Sequence, residues 1–513
     1  MDLFFSAKSS CLSYSSCLLL IISTIIYMFI KSRSSSKPRK LPPGPIKLPF
    51  IGNLHQLSEG PLPLHRILHH LAAKYGPVMH LNFGNTPTVI ISSPEIAFEI
   101  YKTHDLVFSN RPATAIAKKF SRDGLSIAFC NYGEQWRQMR KLASLELFSM
   151  KRVNSFSWAR KAETDILVQT IRNYCFSKKQ TVNLSEMFLC LNNNIIGQLA
   201  FSKRFSSEGE CNRSKHHDLI TEIIHLFGAF FIEDFFPWLS WMDVITGMQA
   251  KSNAIFKKLD EFLEREISEH RLSSDGDNSR HEEDFVDVLL ELQRNSNLGF
   301  TITRDQIKVI LMDIFVAGTE TSALLLEWVM SELIKNPRVI MKANDEVRKV
   351  VGNKGRVEED DLKRLEYLGF VINETLRLHP PVGLLVPRES AEDCIISGYD
   401  VPKKTTVIVN AWALGRDPKI WENPDIFYPE RFDGSPINYK GNHMQFIPFG
   451  AGRRVCPGIQ LANATIMTAL ANILYHFNWK LPNAMSGEDI DMTEVSGFNN
   501  RKKSPLILMA TPK

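Results

Sequence analysis

The stretch Pro448-Phe449-Gly450-Ala451-Gly452-Arg453-Arg454-Val455-Cys456-Pro457-Gly458 sets a cysteine in a loop rich in glycine and arginine. Gly450 and Gly452 permit backbone angles and close approaches that a side chain blocks. Pro457 suits the first position of a helix, and Ile459, Leu461, Ala462, Ile466, Met467 and Leu470 continue an apolar helical pattern. Cys456 is therefore expected at a helix N-terminus beside Arg453 and Arg454. The helix dipole and the guanidinium charges both favour a thiolate, which makes the residue a candidate metal ligand. Two blander readings compete: a buried structural cysteine, and a phosphate loop built on Gly450-x-Gly452. The second lacks both the third glycine of a dinucleotide fingerprint and the Lys-Ser/Thr of a P-loop.

Upstream, Arg304–Lys335 reads as the longest helix, opened by a Thr303/Gln306 capping box and stopped at Asn336-Pro337. Residues 309–329 are apolar on all sides, the pattern of a helix running through a core. Asp313, Thr319, Glu320, Thr321 and Glu327 interrupt them too often for a membrane span. Within this helix, Ala317-Gly318-Thr319-Glu320-Thr321 sets an alcohol next to an acid. Gly318 weakens the helix, and the Thr321 hydroxyl is expected to interrupt the backbone ladder and hold a water. Glu374 and Arg377 share a helical face; alone they would pass for an ordinary surface ion pair. Pro429-Glu430-Arg431-Phe432, the pair Trp136 and Arg140 one helical turn apart, and Arg388 in Val386-Pro387-Arg388 complete the set.

Together these stretches resemble the cytochrome P450 family. Phe449, Gly452, Arg454, Cys456 and Gly458 fill every fixed position of its haem signature, F-x-x-G-x-R-x-C-x-G. Glu374 and Arg377 match E-x-x-R, residues 429–432 match P-E-R-F, residues 317–321 match A/G-G-x-D/E-T, and Trp136 and Arg140 match W-x-x-x-R. The resemblance implies a mainly α fold with a small β portion, the cytochrome P450 fold, preceded by a single N-terminal transmembrane helix. It implies haem b (iron protoporphyrin IX) as cofactor, with Cys456 as the axial ligand of the haem iron; thiolate ligation favours O–O cleavage. It further implies Arg454, Trp136, Arg140 and Arg388 as propionate partners, Phe449 packed near the thiolate, and Gly452 in the turn. Glu374, Arg377 and Arg431 would form a structural network behind the haem. Ala317, Gly318, Glu320 and Thr321 would form the oxygen-activation site, where an alcohol beside an acid supplies protons.

The wording AGTETS at 317–322 and PFGAGRRVCPG at 448–458 is similar to that of plant microsomal enzymes that oxidise terpenoids, alkaloids and phenolics. Such an enzyme is a monooxygenase that inserts one oxygen atom from O2 into an apolar specialised metabolite, by hydroxylation, epoxidation or oxidative rearrangement. The chain carries no flavin or nicotinamide fingerprint. The resemblance accordingly implies that NADPH is used indirectly, through a separate NADPH-cytochrome P450 reductase, with cytochrome b5 as a further partner. By the same analogy the substrate pocket draws on residues 112–127, Asp313, Ala317, 382–386 and 496–498. Two alternatives stay open: a haem-thiolate isomerase or dehydratase that uses no O2, and a non-catalytic haem-binding membrane protein.

Composition excludes other classes. With 61 basic and 56 acidic side chains, the net charge of +5 on 513 residues is too balanced to imply nucleic-acid binding. The 8 cysteines include no C-x-x-C pair, which argues against a disulfide framework or a zinc finger. Residues 11–30, CLSYSSCLLLIISTIIYMFI, are uncharged over the ~20 residues that a membrane helix needs. Lys31, Arg33, Lys37, Arg39 and Lys40 follow, whereas only Asp2 and Lys8 precede. That asymmetry predicts a lumenal N-terminus and a cytosolic body, single-pass in the endoplasmic reticulum membrane; a cleaved signal would carry its charge ahead of the apolar run. Leu41-Pro42-Pro43-Gly44-Pro45 predicts a stiff, extended connector. The expected organisation is 1–30, lumenal residues and anchor; 31–45, basic and proline-rich hinge; 46–513, haem-thiolate catalytic domain. Val78–Phe83 and residues 87–91 read as strands, and residues 272–280 read as an exposed loop.

Overall fold

The structure, a computed structural model, describes residues 39–513 except 59–61, 123, 177–180, 208–213, 275–282, 295–300 and 484. The expected anchor at 11–30 and most of the hinge lie outside the described residues. The described part of the hinge is docked. The His80 N–H donates to the Pro43 carbonyl at 2.8 Å, and a Cβ on Gly44 would fall 2.1 Å from the His80 oxygen, so only glycine fits there.

Four strands, β1 (Val78–Phe83), β2 (Thr86–Ile91), β3 (Arg388–Glu389) and β4 (Thr406–Val409), form one sheet in the order β1-β2-β4-β3. β2 and β4 run parallel, with Thr88 opposite Thr406 and Ile91 opposite Val409. Their β-branched runs are buried without alternation, as befits central parallel strands covered on both faces. A second, three-stranded sheet joins residues 181–183, 477–480 and 507–512.

The rest is helical. The helices that build the site are α1 (Glu134–Leu142), α2 (Leu184–Phe201), α3 (Lys215–Phe227), α4 (Met248–Ser274), α5 (Arg304–Lys335), α6 (Glu366–Leu378) and α7 (Ile459–His476). Thr303 and Gln306 make the reciprocal capping box that starts α5, and Pro337 opens the next helix after Asn336. At ~1.5 Å per residue α5 spans roughly 48 Å. It is long and apolar enough to cross a membrane by length and composition, yet it lies buried in the body. α2 packs directly on it: a Cβ on Gly318 would come 2.9 Å from Ile196 Cδ1. Phe315 stacks on Phe262 of α4 at 5.5 Å and meets Phe201 of α2 edge-on at 5.7 Å.

Three local expectations are corrected. α4 continues through Ser274, so the helix extends into the stretch read as a loop from 272. α7 begins at Ile459 with Gly458 as its N-cap, which leaves Cys456 and Pro457 in the preceding turn rather than at the first helical position. α5 is uninterrupted at Thr321, because that hydroxyl donates back to the Ala317 carbonyl at 2.8 Å and adds to the helix ladder.

Candidate active site

Between Ile307 and Leu333 every residue of α5 is buried except Asp313, Ala317, Gly318 and Thr321. These four lie on one face, at helical spacing. Accessible surface in the middle of a core helix means that this face borders an internal space.

The cysteine loop borders the same interior, and Ile127 links the two. Its N–H donates to Asp313 at 2.8 Å, while its carbonyl accepts from Trp136 Nε1 and from Arg454 Nη1, both at 3.0 Å. The Asp313 carboxylate also takes the Ser126 hydroxyl at 2.7 Å, and burial pushes its carboxyl up to about 7. The loop itself is tightly held. The Cys456 N–H donates to the Phe449 carbonyl at 3.0 Å, bringing those two signature residues together. Gly452 adopts φ +66°, and a Cβ there would sit 2.4 Å from Asp105 Oδ1 and 2.7 Å from the Tyr101 carbonyl.

The charge around Cys456 differs from the expectation. Burial pushes its thiol up, opposed by the Gly458 backbone and by the Arg140 charge. The neighbouring arginines point elsewhere. Arg453 is exposed and pairs with Asp105 at 3.0 Å, and Arg454 donates to the carbonyls of Ser109, Ile127 and Cys130. Arg140, which donates to the Val455 carbonyl at 2.6 Å, is the guanidinium that favours the thiolate.

Four arginines converge here. Arg388 donates to the Phe108 carbonyl at 3.1 Å and the Ala451 carbonyl at 2.8 Å, and meets Asp105 at 3.3 Å. Arg111, which stands in none of the motifs, donates to the carbonyls of Ala128, Val386 and Pro387. Burial, and then the charges of Arg388 and Arg454, hold Arg111 well below the ordinary guanidinium range. Burial likewise lowers Arg140, and takes Arg454 to about 9. Arg454 lies over the Trp136 ring at 4.3 Å. Among the described residues, the carboxylate that pairs in this cluster is Asp105, and it is shared with Arg453. Buried cationic charge in such excess is costly unless an anion meets it. A flat macrocycle with two propionates fits this donor set. The residues present therefore fit haem. Nothing in Asn110-Arg111-Pro112 marks Arg111 in the sequence; only its contacts do.

Behind the loop, Glu374 and Arg377 on α6 are both fully buried. Arg377 grips the carboxylate with two bonds, Nε at 2.8 Å and Nη2 at 2.7 Å. It also donates to the carbonyls of Gly415 and Pro424, each at 2.6 Å. Arg431 Nε reaches Glu374 at 2.9 Å, as does the Tyr428 N–H. The three residues singled out by motif are thus one buried network.

Glu320 is buried and turns from the accessible face. It accepts from Asn499 Nδ2 at 3.1 Å and pairs with Arg501, neither of which the motifs mark. Phe120, Phe129, Phe227 and Phe498 form an aromatic cluster. Phe129 stacks on Phe227 at 4.9 Å, and Phe498 meets Phe227 at 5.5 Å. Leu385, in the loop between α6 and β3, takes φ +54°, a strained angle for a branched side chain of the kind that clusters at functional sites.

A helical body that frames a cysteine, an arginine cluster and an accessible core helix defines the haem-thiolate class of protein. A model of the Cytochrome P450 family matches residues 42–509. Cytochrome P450 71A1 of Persea americana is 48% identical over 90% of this chain and 91% of its own length. Strychnine-11-hydroxylase of Strychnos nux-vomica is 45% identical over 99% of this chain and 98% of its own, and costunolide synthase of Cichorium intybus is 42% identical over 96% and 98%. The chain belongs to the cytochrome P450 family. It is a monooxygenase of that family, a class in which haem b is the cofactor and NADPH is supplied through a reductase.

Proposed function

We infer that this chain inserts one oxygen atom from O2 into a C–H or C=C bond of an apolar terpenoid- or alkaloid-type plant metabolite. The balance is RH + O2 + NADPH + H+ giving ROH + H2O + NADP+. The observation that carries this reading is the convergence of Cys456, four arginines and the accessible Asp313–Thr321 face of α5 on one interior. The names of relatives that make costunolide or hydroxylate strychnine support the substrate class, as does the phenylalanine cluster. The uncharged stretch at 11–30 and the basic residues after it support a single-pass anchor in the endoplasmic reticulum with a cytosolic body. NADPH-cytochrome P450 reductase is the electron donor in this reading, and cytochrome b5 a further one.

Haem, when bound, supplies the iron at which O2 is reduced and the oxygen atom is transferred. Cys456 would hold its iron through the sulfur, with Phe449 and Gly452 fixing the loop that presents it. Arg454, Arg140, Arg388 and Trp136, joined by Arg111, would hold the propionates. Each already spends donors on backbone carbonyls, so the guanidinium planes are fixed before any ligand arrives. Ala317 and Gly318 keep the α5 face shallow, which leaves room for the reacting centre. Thr321 presents a hydroxyl to that space, and Glu320, the neighbouring residue on the helix, moves protons to it. The phenylalanine cluster excludes water and orients an apolar substrate. Glu374, Arg377 and Arg431 hold the chain behind the cysteine loop.

The test is the carbon monoxide difference spectrum of the reduced protein, with Cys456→Ala alongside. The wild type is expected to give the thiolate-type band and the variant none. Microsomes carrying the reductase and isotopically heavy O2 should then label a terpenoid or alkaloid product. A wild type without the band, or product formed without NADPH and O2, overturns the reading.

A further inference from the structure

Glu320 is only 2% exposed, and its carboxylate faces the segment 496–501. That segment is rigidly placed. The Asn500 N–H donates to the Pro381 carbonyl and its Nδ2 to the Pro380 carbonyl, both at 2.8 Å, while its own carbonyl accepts from Trp328 Nε1 at 2.9 Å. A Cβ on Gly383 would fall 2.6 Å from Asn500 Nδ2, so the two loops interlock. The neighbours of Asn500 project onto the acid: Asn499 donates Nδ2 to Glu320 at 3.1 Å, and Arg501 forms an ion pair with it. The Arg501 side chain is 27% exposed and so links the buried carboxylate to solvent. Asn499 is buried, and its Oδ1 meets no donor among the described residues. A buried acceptor in the same amide that grips Glu320 is a place for an ordered water.

We propose that Asn499 and Arg501 are positioning residues for proton delivery: they fix the Glu320 carboxylate in place on α5 and seat the water that recharges it. The proposal rests on the monooxygenase reading. The step is a proton transfer only. Water held at Asn499 protonates the carboxylate, which weakens its pairing with Arg501. The carboxyl then passes the proton toward Thr321, and the ion pair re-forms. No electrons move, and the proton comes from bulk solvent past Arg501. When delivery is slow, reduced O2 leaves as hydrogen peroxide, with two protons and two electrons, instead of being cleaved to water.

Two measurements test this. In the first, thermal unfolding of the wild type, Arg501→Gln, Glu320→Gln and the double variant forms a cycle that needs no turnover. The expectation is that Arg501→Gln lowers the midpoint more than the double variant does, because the single change strands a buried carboxylate. In the second, the holoenzyme is reconstituted with its reductase and NADPH, without added substrate. Arg501→Gln and Asn499→Ala are expected to raise peroxide per NADPH severalfold and to change the solvent isotope effect on NADPH consumption; Arg501→Lys should restore both. Additive midpoints, or a peroxide ratio and isotope effect equal to wild type in Arg501→Gln, overturn the proposal. A wild type that lacks the thiolate-type band fails the monooxygenase reading itself, and the positioning role falls with it, whereas the thermal cycle still reports the ion pair.

Discussion

Asp313 carries a carboxyl that burial raises from 3.8 to about 7, against the opposing bonds from Ser126 and Ile127. Between those two pH values the native group keeps a proton that the unfolded chain has released. Folding then takes up a proton, so this group's contribution to stability is complete below 3.8, falls as pH rises, and is lost above about 7. Asp313→Asn removes the titration and keeps an acceptor for the Ile127 N–H. Relative to wild type, the variant should gain stability as pH rises through that window, by on the order of a few kcal/mol, read from chemical unfolding at each pH. A constant difference across the window would assign the slope to other groups. At this scale, legibility depends on spacing. Cys456, Arg454, Glu374 and Thr321 stand in patterns that can be read along the chain. Arg111, Asn499 and Arg501 stand in none, because their partners lie far away in sequence and only folding brings them together.

The elements were legible where one force dominates. α5 is all-round apolar with a capping box, so burial and capping agree on it. β1 and β2 fall on the two short β-like runs at 78–83 and 87–91, the second of them rich in β-branched residues. Failures occur where local preferences compete: Pro457 can open a helix, but the turn that presents Cys456 needs that position, and α7 starts two residues later. Arg377 supplies two parallel bonds to Glu374 and two to the Gly415 and Pro424 carbonyls, a pattern that only a planar fork satisfies. Arg377→Ala leaves Glu374 charged and buried with Arg431 as its one remaining cation, a loss of ~3–5 kcal/mol. Arg377→Lys restores the charge without the fork and should recover only part of it. Both variants should show a lowered thermal midpoint and a reduced thiolate-type band per mole of protein. A lysine variant equal to wild type would mean that charge alone matters.

Among the described residues, the body has a strongly apolar corner. Ile46 is 87% exposed, Phe50 65% and Ile245 74%; Phe230, Trp238, Trp241 and Val244 are exposed beside them. The contacts are continuous. Gly52 bridges to Phe83, Gly84 lies against Phe235 and Phe236, Phe235 stacks on Phe230 at 4.7 Å, and Phe236 meets Trp238 at 5.8 Å. Exposed apolar surface on this scale marks contact with a partner or a membrane. The docked hinge supplies the reason to favour a membrane: Pro43 and Gly44 lie against His80 of β1, and β1 reaches this corner through the Gly52–Phe83 bridge, so an anchor ahead of the hinge would hold the corner against the bilayer. A chain that begins at residue 39 should therefore still sediment with phospholipid vesicles. Trp241→Glu together with Ile245→Glu removes two side chains worth ~1.5–3 kcal/mol each when buried. Partitioning should then fall by about a hundredfold or more, while the carbon monoxide band of the reduced protein stays unchanged because neither residue touches the site. If the double variant stays on vesicles as fully as its parent, this corner is not the membrane face.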